Sequence, residues 1–132
     1  NVPEAAALLD LAPATDVDAL PEQAVALLAL GPRAVLLKGG HLGGPESVDV
    51  LASARGVHVT RRPRVPTTAT HGTGCTLSSA IAALAARTPG AGWPALVDGA
   101  RDYLQRALRA GAGLGIGSGH GPVHHFAGIW PA

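Results

Sequence analysis

The sequence predicts an α/β fold in which helices pack on a sheet. Segments with helical periodicity alternate with short apolar runs of strand length, and this alternation is typical of α/β layer structures. With 132 residues, 47% of them hydrophobic, the chain is long enough to form one compact core. It contains no internal repeat, so a helical array is not expected.

Two helices are predicted at the start of the chain. The first covers Glu4–Leu11, because Asn1 can cap it and the opening glutamate, three residues later, can complete a capping box. The second runs from Asp16 or Asp18 to Leu30, with its proline accepted only in the first turn and a glycine ending it. Its predicted apolar residues are Val25, Leu27, Leu28 and Leu30.

Three strands are predicted next. Ala34–Leu37 is an unbroken apolar run between Gly-Pro and Lys-Gly-Gly, which is typical of a strand buried on both faces of a parallel sheet. Val48–Leu51 and Val57–Thr60 are expected to pair as a hairpin through a turn around Arg55 and Gly56.

The second half of the chain predicts two more helices. Thr73–Ala86 carries large apolar residues at i, i+4 and i+7, which places them on one helical face. A last helix is expected over Trp93–Gly111, before a glycine-rich loop that reaches Gly121. Its predicted buried stripe comprises Leu96, Val97, Ala100, Tyr103, Leu104 and Leu108.

Charge and hydropathy argue against two classes of partner. The formal net charge is +1, and the only concentrated basic stretch is Arg61–Arg64, so no nucleic-acid partner is expected. The longest apolar stretches, such as Ala80–Ala86, are far shorter than the ~20 residues of a membrane span, so no membrane partner is expected.

The cysteine count and the identity of the first residue lead to two further expectations. Cys75 is the only cysteine, which precludes an intrachain disulfide and suits a reducing compartment, so a cytoplasmic protein is expected. The chain opens on Asn1 rather than on methionine, as though it were cut from a longer protein.

A glycine-rich loop precedes the predicted helix at Thr73. In the string Thr70–Cys75, free backbone N–H groups and the positive end of a helix dipole meet at one point, which favours anion binding. Gly72 and Gly74 would let a phosphate approach the backbone closely; an ordinary glycine-rich helix start is the alternative. Cys75, in the first helical turn, could act as a base, as a nucleophile, or only as a small buried hydrophobe.

Two other groups are candidates for chemistry. Lys38 follows the predicted buried strand, where open parallel sheets place their ligands, so it is a candidate phosphate contact or a solvated strand-end charge. The histidines near the end of the chain lie in a glycine-rich tail with no cysteine or carboxylate nearby, which disfavours a metal site. They are His120, His124 and His125.

Taken together, four segments resemble the phosphomethylpyrimidine kinase family. They are Asn1–Glu4, Val35–Leu42, Thr70–Ala83 and Gly119–Phe126, and their order matches along essentially the whole chain. The family pattern combines Asn-x-x-Glu, Val-Leu-Leu-Lys-Gly-Gly-His-Leu, an Asp-x-Leu strand and His-Gly-Thr-Gly-Cys-Thr-Leu-Ser. That combination is far more specific than any of its parts.

The resemblance implies a fold and an activity. The fold is the ribokinase-like three-layer α/β/α fold, with residues 1–132 as the C-terminal ATP-binding and phosphoryl-transfer portion of one domain and the N-terminal substrate-binding part absent. The implied activity is ATP-dependent phosphorylation of hydroxymethylpyrimidine and its monophosphate in thiamine biosynthesis, with ATP and Mg²⁺ as cofactors. The implied partner is that small-molecule substrate. Because half of a parallel sheet would expose its cut edge and an apolar face, a homo-oligomer or an additional partner segment is also expected.

The resemblance also implies roles for seven residues. The glycine loop would hold the transferred phosphoryl group, Lys38 would contact phosphate, and the Asn-x-x-Glu motif would help place magnesium, with Glu4 as the metal residue. Cys75 stands where most ribokinase-like enzymes carry an aspartate base. The implied catalytic residues are Cys75, Gly74 and Lys38, and the implied cofactor-binding residues are Asn1, Glu4, Lys38, Gly72, Thr73 and Gly74.

One departure and three alternatives stand beside this reading. Ala69 occupies the position where the family usually shows asparagine, so a hydrogen bond near the nucleotide is expected to be missing. A pyridoxal or pyridoxine kinase shares the fold and acts on a similar hydroxymethyl group. A non-catalytic nucleotide-binding fragment is the second alternative. A cysteine hydrolase using Cys75 with His71 would need a third orienting group that the loop does not supply.

Overall fold

The structure, a computed structural model, describes residues 1–130 of the chain. In this part, four α-helices and three β-strands occur in the order α1 (Val2–Leu9), α2 (Leu20–Leu28), β1 (Ala34–Lys38), β2 (Glu46–Ser53), β3 (Gly56–Pro63), α3 (Thr73–Arg87) and α4 (Trp93–Gly111). They form two compact units, Asn1–Arg64 and a second that begins at Val65. Among the helices described, none is both long and apolar enough to cross a membrane.

The sheet of the first unit is antiparallel, with strand order β1-β2-β3. The prediction of a strand over Ala34–Leu37 is confirmed, but the prediction that it lies in a parallel sheet and is buried on both faces is wrong. Residues 39–45 join β1 directly to β2, and such a short connection cannot make the crossover that parallel neighbours require. Of the apolar residues of β1, only Leu37 is fully buried.

The predicted hairpin is confirmed. Strands β2 and β3 pair from Glu46 opposite Pro63 to Ser53 opposite Gly56, so both are longer than the runs expected from the sequence. The turn at Ala54 and Arg55 leads into Gly56, whose φ of 110° is a left-handed conformation that glycine adopts without steric cost. The connection is therefore encoded locally.

Side-chain hydrogen bonds cap the start of α1 and hold a turn just before α2. Asn1 caps α1: its side-chain oxygen accepts the N–H of Glu4 at 3.0 Å, and the Glu4 carboxylate accepts from the nitrogen of Asn1 at 2.8 Å, which confirms the predicted capping box. Helix α2 begins later than predicted, because the Asp16 carboxylate accepts the N–H groups of Asp18 and Ala19 and holds a turn there.

The core of the first unit lies between α2 and the sheet. Leu20, Ala24 and Leu27 share one face of α2, at the spacing expected for a buried helical stripe. Their buried partners are Val2, Ala5, Leu37, Val50 and Ala52. Two residues of the predicted apolar set are exposed instead: Val25, by 50%, lies on another face of α2, and Leu30, by 59%, lies beyond its last residue.

In the second unit, α3 packs against α4. Both predicted helices are confirmed within one or two residues. The α4 stripe is buried at Leu96, Val97, Ala100 and Leu104, whereas the predicted Tyr103 and Leu108 are only half-buried. The segment after α4 returns to the start of α3. There the N–H of His71 donates to the carbonyl oxygen of Gly121 at 3.1 Å.

Candidate functional site

The seven predicted site residues form two groups. Asn1, Glu4 and Lys38 belong to the first unit, where they lie at the start of α1 and at the end of β1. Gly72, Thr73, Gly74 and Cys75 belong to the second unit, where they form the start of α3.

Lys38 ends β1 directly opposite a buried carboxylate. Its partner across the sheet is Asp49, which is only 1% exposed. The next N–H group, that of Gly39, donates to the carbonyl oxygen of Val48 at 2.8 Å and lies 3.2 Å from Oδ1 of Asp49. The backbone is thus held by β2 as it leaves the strand beside Lys38. The sequence identified Asp49 only as part of a family string, and its burial emerges from the hairpin packing.

Packing requires glycine at only one of the two positions after Lys38. A Cβ on Gly39 would collide with the carbonyl oxygen of Val48 and come within 2.8 Å of Cδ1 of Leu20, so only glycine fits between β2 and α2. A Cβ on Gly40 would meet nothing within 4 Å. Packing therefore explains the first glycine and does not explain the second.

The Asn-x-x-Glu motif forms the capping box of α1 and leaves an ionised carboxylate exposed. The side chain of Glu4 is 67% exposed. Its pKa is lowered, chiefly by the hydrogen bond from the nitrogen of Asn1. The positive charge of Lys38 adds a smaller lowering of the Glu4 pKa.

The glycine loop of the second unit opens α3 without a side-chain cap. Gly72 is the N-cap residue, with a φ of 80°, and no side chain of the described residues caps the helix there. The amides of Gly74 and Cys75 lie in the first turn, where N–H groups have no acceptor within the helix. A Cβ on Gly74 would meet nothing within 4 Å, so this glycine leaves open space at the helix start.

Cys75 is exposed in the first turn of α3. The alternative prediction of a small buried hydrophobe is therefore wrong. The buried residues of α3 are the next two, Thr76 and Leu77, so the thiol is not part of the packed face of this helix. The roles of base and nucleophile both need this accessibility.

A groove of about 790 Å³ runs from the glycine loop along α3 and α4. This volume lies within the range of small-molecule sites. It is lined by His71, Gly72, Cys75, Thr76, Ser79, Ala80, Ala83, Leu84, Arg87, Gly99, Tyr103, Arg106, Pro122 and His125.

Sequence reasoning missed the far end of this α3–α4 groove. The hydroxyl of Tyr103 donates to the carbonyl oxygen of His125 at 3.1 Å, and Arg106 lies one helical turn further along α4. The sequence feature that could have identified this end is the i, i+3 spacing of Tyr103 and Arg106, because residues at this spacing share a helical face. Tyr103 had instead been assigned to the buried stripe.

The histidine-rich tail holds no metal cluster. Among residues 1–130, no three His, Cys, Asp or Glu side chains are grouped so that they could hold a metal ion. Nδ1 of His124 accepts the N–H of Phe126 at 3.2 Å, and the rings of His124 and Trp130 form a T-shaped pair with centroids 5.2 Å apart. This histidine is used in local structure.

Comparison with known proteins decides the family. A family model described as phosphomethylpyrimidine kinase matches residues 1–124. The chain belongs to the phosphomethylpyrimidine kinase family. The chain is 47% identical to the hydroxymethylpyrimidine/phosphomethylpyrimidine kinase of Escherichia coli (strain K12). The match covers 98% of the chain and 48% of that relative. The chain thus spans about half the length of that relative.

Two further relatives extend the comparison. The thiamine biosynthesis multifunctional protein ThiED of Corynebacterium efficiens is 46% identical to this phosphomethylpyrimidine kinase family chain, over 96% of it and 17% of the multifunctional protein. A solved structure of Bacillus subtilis pyridoxal kinase in an ADP complex matches with a TM-score of 0.87 at 30% identity, over 99% of this chain and 48% of that one. The predicted ribokinase-like α/β fold is confirmed, with the present chain forming part of it.

Proposed function

We propose that the protein supplies the ATP-binding and phosphoryl-transfer portion of a kinase that phosphorylates hydroxymethylpyrimidine and its monophosphate in thiamine biosynthesis. One observation carries this proposal: a member of the phosphomethylpyrimidine kinase family presents an uncapped, glycine-lined helix start with an exposed cysteine. The names of the Escherichia coli and Corynebacterium efficiens relatives support the reaction and the pathway. The ADP complex of the Bacillus subtilis structure supports a nucleotide as the phosphoryl donor.

In this proposal the glycine loop, from Gly72 to Cys75, is the anion hole for the transferred phosphoryl group. Free amides and the helix dipole stabilise negative charge at such a position, and donors fixed before the reaction stabilise developing charge without reorganisation. The missing side chain of Gly74 supports the role, because the space in front of its backbone is open.

Cys75 acts in this proposal as the base or as an anion-hole residue. The exposed sulfur of Cys75, once ionised, could accept the proton of the substrate hydroxyl. Phosphoryl transfer with a loose transition state needs little help from a base, in which case the amide of Cys75 would be the important group. Cys75→Ser separates the two, because serine keeps the amide and removes the thiol.

Lys38 supplies a positive charge for a phosphate oxygen in this proposal. Its half-buried position at the end of β1 and the hydrogen bonds that hold Gly39 restrict where the ammonium group can go. A lysine contacts phosphate as a point charge, so the position of the strand end matters more than any forked geometry.

Glu4 is the residue of this chain that suits a magnesium ion. Its carboxylate is exposed and its pKa is lowered, so it is ionised at neutral pH, and Mg²⁺ prefers carboxylate and water oxygens. One of its oxygens is engaged with the nitrogen of Asn1, which leaves the other for the ion or for one of its waters. When bound, Mg²⁺ neutralises charge on the phosphates. The side chain of Asn1 holds Glu4 in position through the capping box.

The proposal is tested by ATP-dependent ADP formation with hydroxymethylpyrimidine, its monophosphate and pyridoxine as acceptors. Turnover with the pyrimidines is expected. In Cys75→Ala, turnover should fall about a hundredfold or more, while the Kd for ATP changes only about threefold or less, as expected for a group that acts mainly in the transition state. Equal turnover in wild type and Cys75→Ala would exclude the role of the thiol as base and leave only that of the Cys75 amide.

Two other activities are outcomes of the same assay. The match to the Bacillus subtilis pyridoxal kinase favours pyridoxal or pyridoxine as the second candidate substrate, and turnover with pyridoxine alone would establish it. Calorimetric binding of ATP without turnover on any acceptor would instead indicate a nucleotide-binding portion that needs more of the protein for catalysis.

We also propose that the protein forms a homo-oligomer and acts in the cytoplasm. Leu8, Val25 and Leu30 are exposed by half or more, and exposed apolar side chains favour self-association. The single thiol suits a reducing compartment. A monomer mass by light scattering would overturn the oligomer, and fractionation of cells would test the location.

A further inference from the structure

The guanidinium group of Arg64 is enclosed by backbone carbonyl groups. Nε donates to the oxygen of Gly44 at 2.9 Å and Nη1 to that of Gly40 at 3.1 Å. Nη2 donates to the oxygens of Leu42 and, at 3.0 Å, Glu46. Three of the five N–H donors of the side chain are therefore directed at the segment just beyond Lys38, and a fourth at the first residue of β2. We call residues 39–45 the strand-end loop.

Apart from Leu42, which packs against the core, the strand-end loop has few other contacts that hold its shape. It contains Gly39, Gly40, Gly43 and Gly44, and glycine has the greatest backbone freedom to lose on ordering. A Cβ on any of the last three would meet nothing within 4 Å, so the backbone there is not packed from that side. The backbone N–H of Arg64 also donates to the oxygen of Pro45 at 2.7 Å, which ties the end of the same loop to β3.

We propose that Arg64 is a positioning residue for nucleotide binding: its guanidinium group organises the strand-end loop and thereby fixes the backbone that follows Lys38. The step from loop order to nucleotide binding rests on the proposed function, in which Lys38 contacts phosphate. The first step, in which Arg64 organises the loop, rests on the contacts described and not on the proposed function. Lysine could not replace Arg64, because a single ammonium group cannot donate to all four carbonyl oxygens at once, as the planar guanidinium group does.

The test combines hydrogen exchange with nucleotide binding, using wild type, Arg64→Ala, Arg64→Lys and the control Arg55→Ala. Arg55 is an exposed arginine at the turn between β2 and β3. Without nucleotide, the amide of Leu42, which donates to Gly39 O, should exchange about tenfold faster or more in both Arg64 variants. Exchange in the rest of the sheet and the Arg55→Ala variant should match wild type. Millimolar guanidinium chloride, but not sodium chloride, should restore protection in Arg64→Ala.

Binding of ATP with magnesium should weaken about tenfold in Arg64→Ala and recover with guanidinium, because a flexible loop must be ordered at the cost of binding free energy. Unchanged exchange at Leu42, or faster exchange spread evenly over β1 and β2, would overturn the proposal. Loop loosening with unchanged ATP affinity would overturn the link to nucleotide binding. If wild type itself bound no nucleotide, the proposed function would fail, while the exchange data would still decide whether Arg64 orders the loop.

Discussion

The buried carboxylate of Asp49 lies 3.2 Å from the backbone nitrogen of Gly39, the residue that follows Lys38. Asp49 is opposite Lys38 in the β1–β2 register, so one residue of β2 faces the lysine and also receives the next N–H group of the chain. The end of β1 is thus held by side-chain and backbone acceptors together. This arrangement makes the strand end sensitive to small changes on β2.

Asp49→Ala is expected to destabilise the protein by about 1 kcal/mol, because it removes one of two acceptors of the Gly39 N–H group while the Val48 carbonyl oxygen remains. Asp49→Asn keeps an oxygen at this position and should cost less. Urea unfolding followed by circular dichroism measures both. Glu46→Ala, at an exposed position of the same strand, is the control. An Asp49→Ala variant as stable as wild type would contradict the assigned contact.

Gly39→Ala and Gly40→Ala should differ strongly although they are neighbours. The new methyl group at Gly39 would strike Val48 O and Leu20 Cδ1, which should cost about 2 kcal/mol through forced movement of packed groups. The methyl group at Gly40 has open space, so its effect should stay within about 0.5 kcal/mol. Thermal unfolding of the pair tests this difference, and equal losses would show that the strand end packs less closely than described.

Gly74→Ala is expected to separate stability from activity. The fold has room for the methyl group, and alanine is a better helix former, so stability should be unchanged or rise by up to about 1 kcal/mol. Kinase turnover should nevertheless fall about a hundredfold, the scale of losing one oxyanion-hole donor, because the methyl group would keep phosphate from the amides. Gly119→Ala, also in open space, should leave turnover unchanged. Full activity in Gly74→Ala would place the phosphate elsewhere.

The lowered pKa of Glu4 predicts that the stability of the 132-residue chain depends on pH. Its pKa in the folded protein lies below its ordinary value of 4.5, so the folded state favours the ionised carboxylate. The stabilisation is therefore fully present above pH 4.5 and is lost as the pH falls through the lowered pKa. Urea midpoints measured across this range should decline more for wild type than for Glu4→Gln. Parallel curves for the two proteins would contradict the shift.

Much of the local structure was predictable because the residues that determine it are close together in the chain. The capping box joins Asn1 to Glu4, three residues apart, and the β2–β3 turn depends on Gly56 and its neighbours. The glycine loop and the start of α3 likewise lie within one short string, Thr70–Cys75. Such interactions appear in the sequence as spacings, so their residues were identified before any packing was known.

The start of α2 shows where local reasoning falls short. Two aspartates were both plausible helix caps, and the structure uses Asp16 to hold a turn instead, with α2 beginning at Leu20. A short polar side chain can satisfy either arrangement, so the packing of Leu20, Ala24 and Leu27 on the sheet decides between them.

The sequence by itself determined the elements, the family and the residues of the glycine loop, because these depend on short-range periodicity and on contiguous strings. The tertiary structure decided the antiparallel pairing of β1 with β2, the burial of Asp49, the enclosure of Arg64 and the exposure of Cys75. Arg64 reaches Gly40, which is 24 residues away, and the sequence indicated only a basic stretch there. Contacts over such separations depend on how packed elements meet, and no local spacing encodes them.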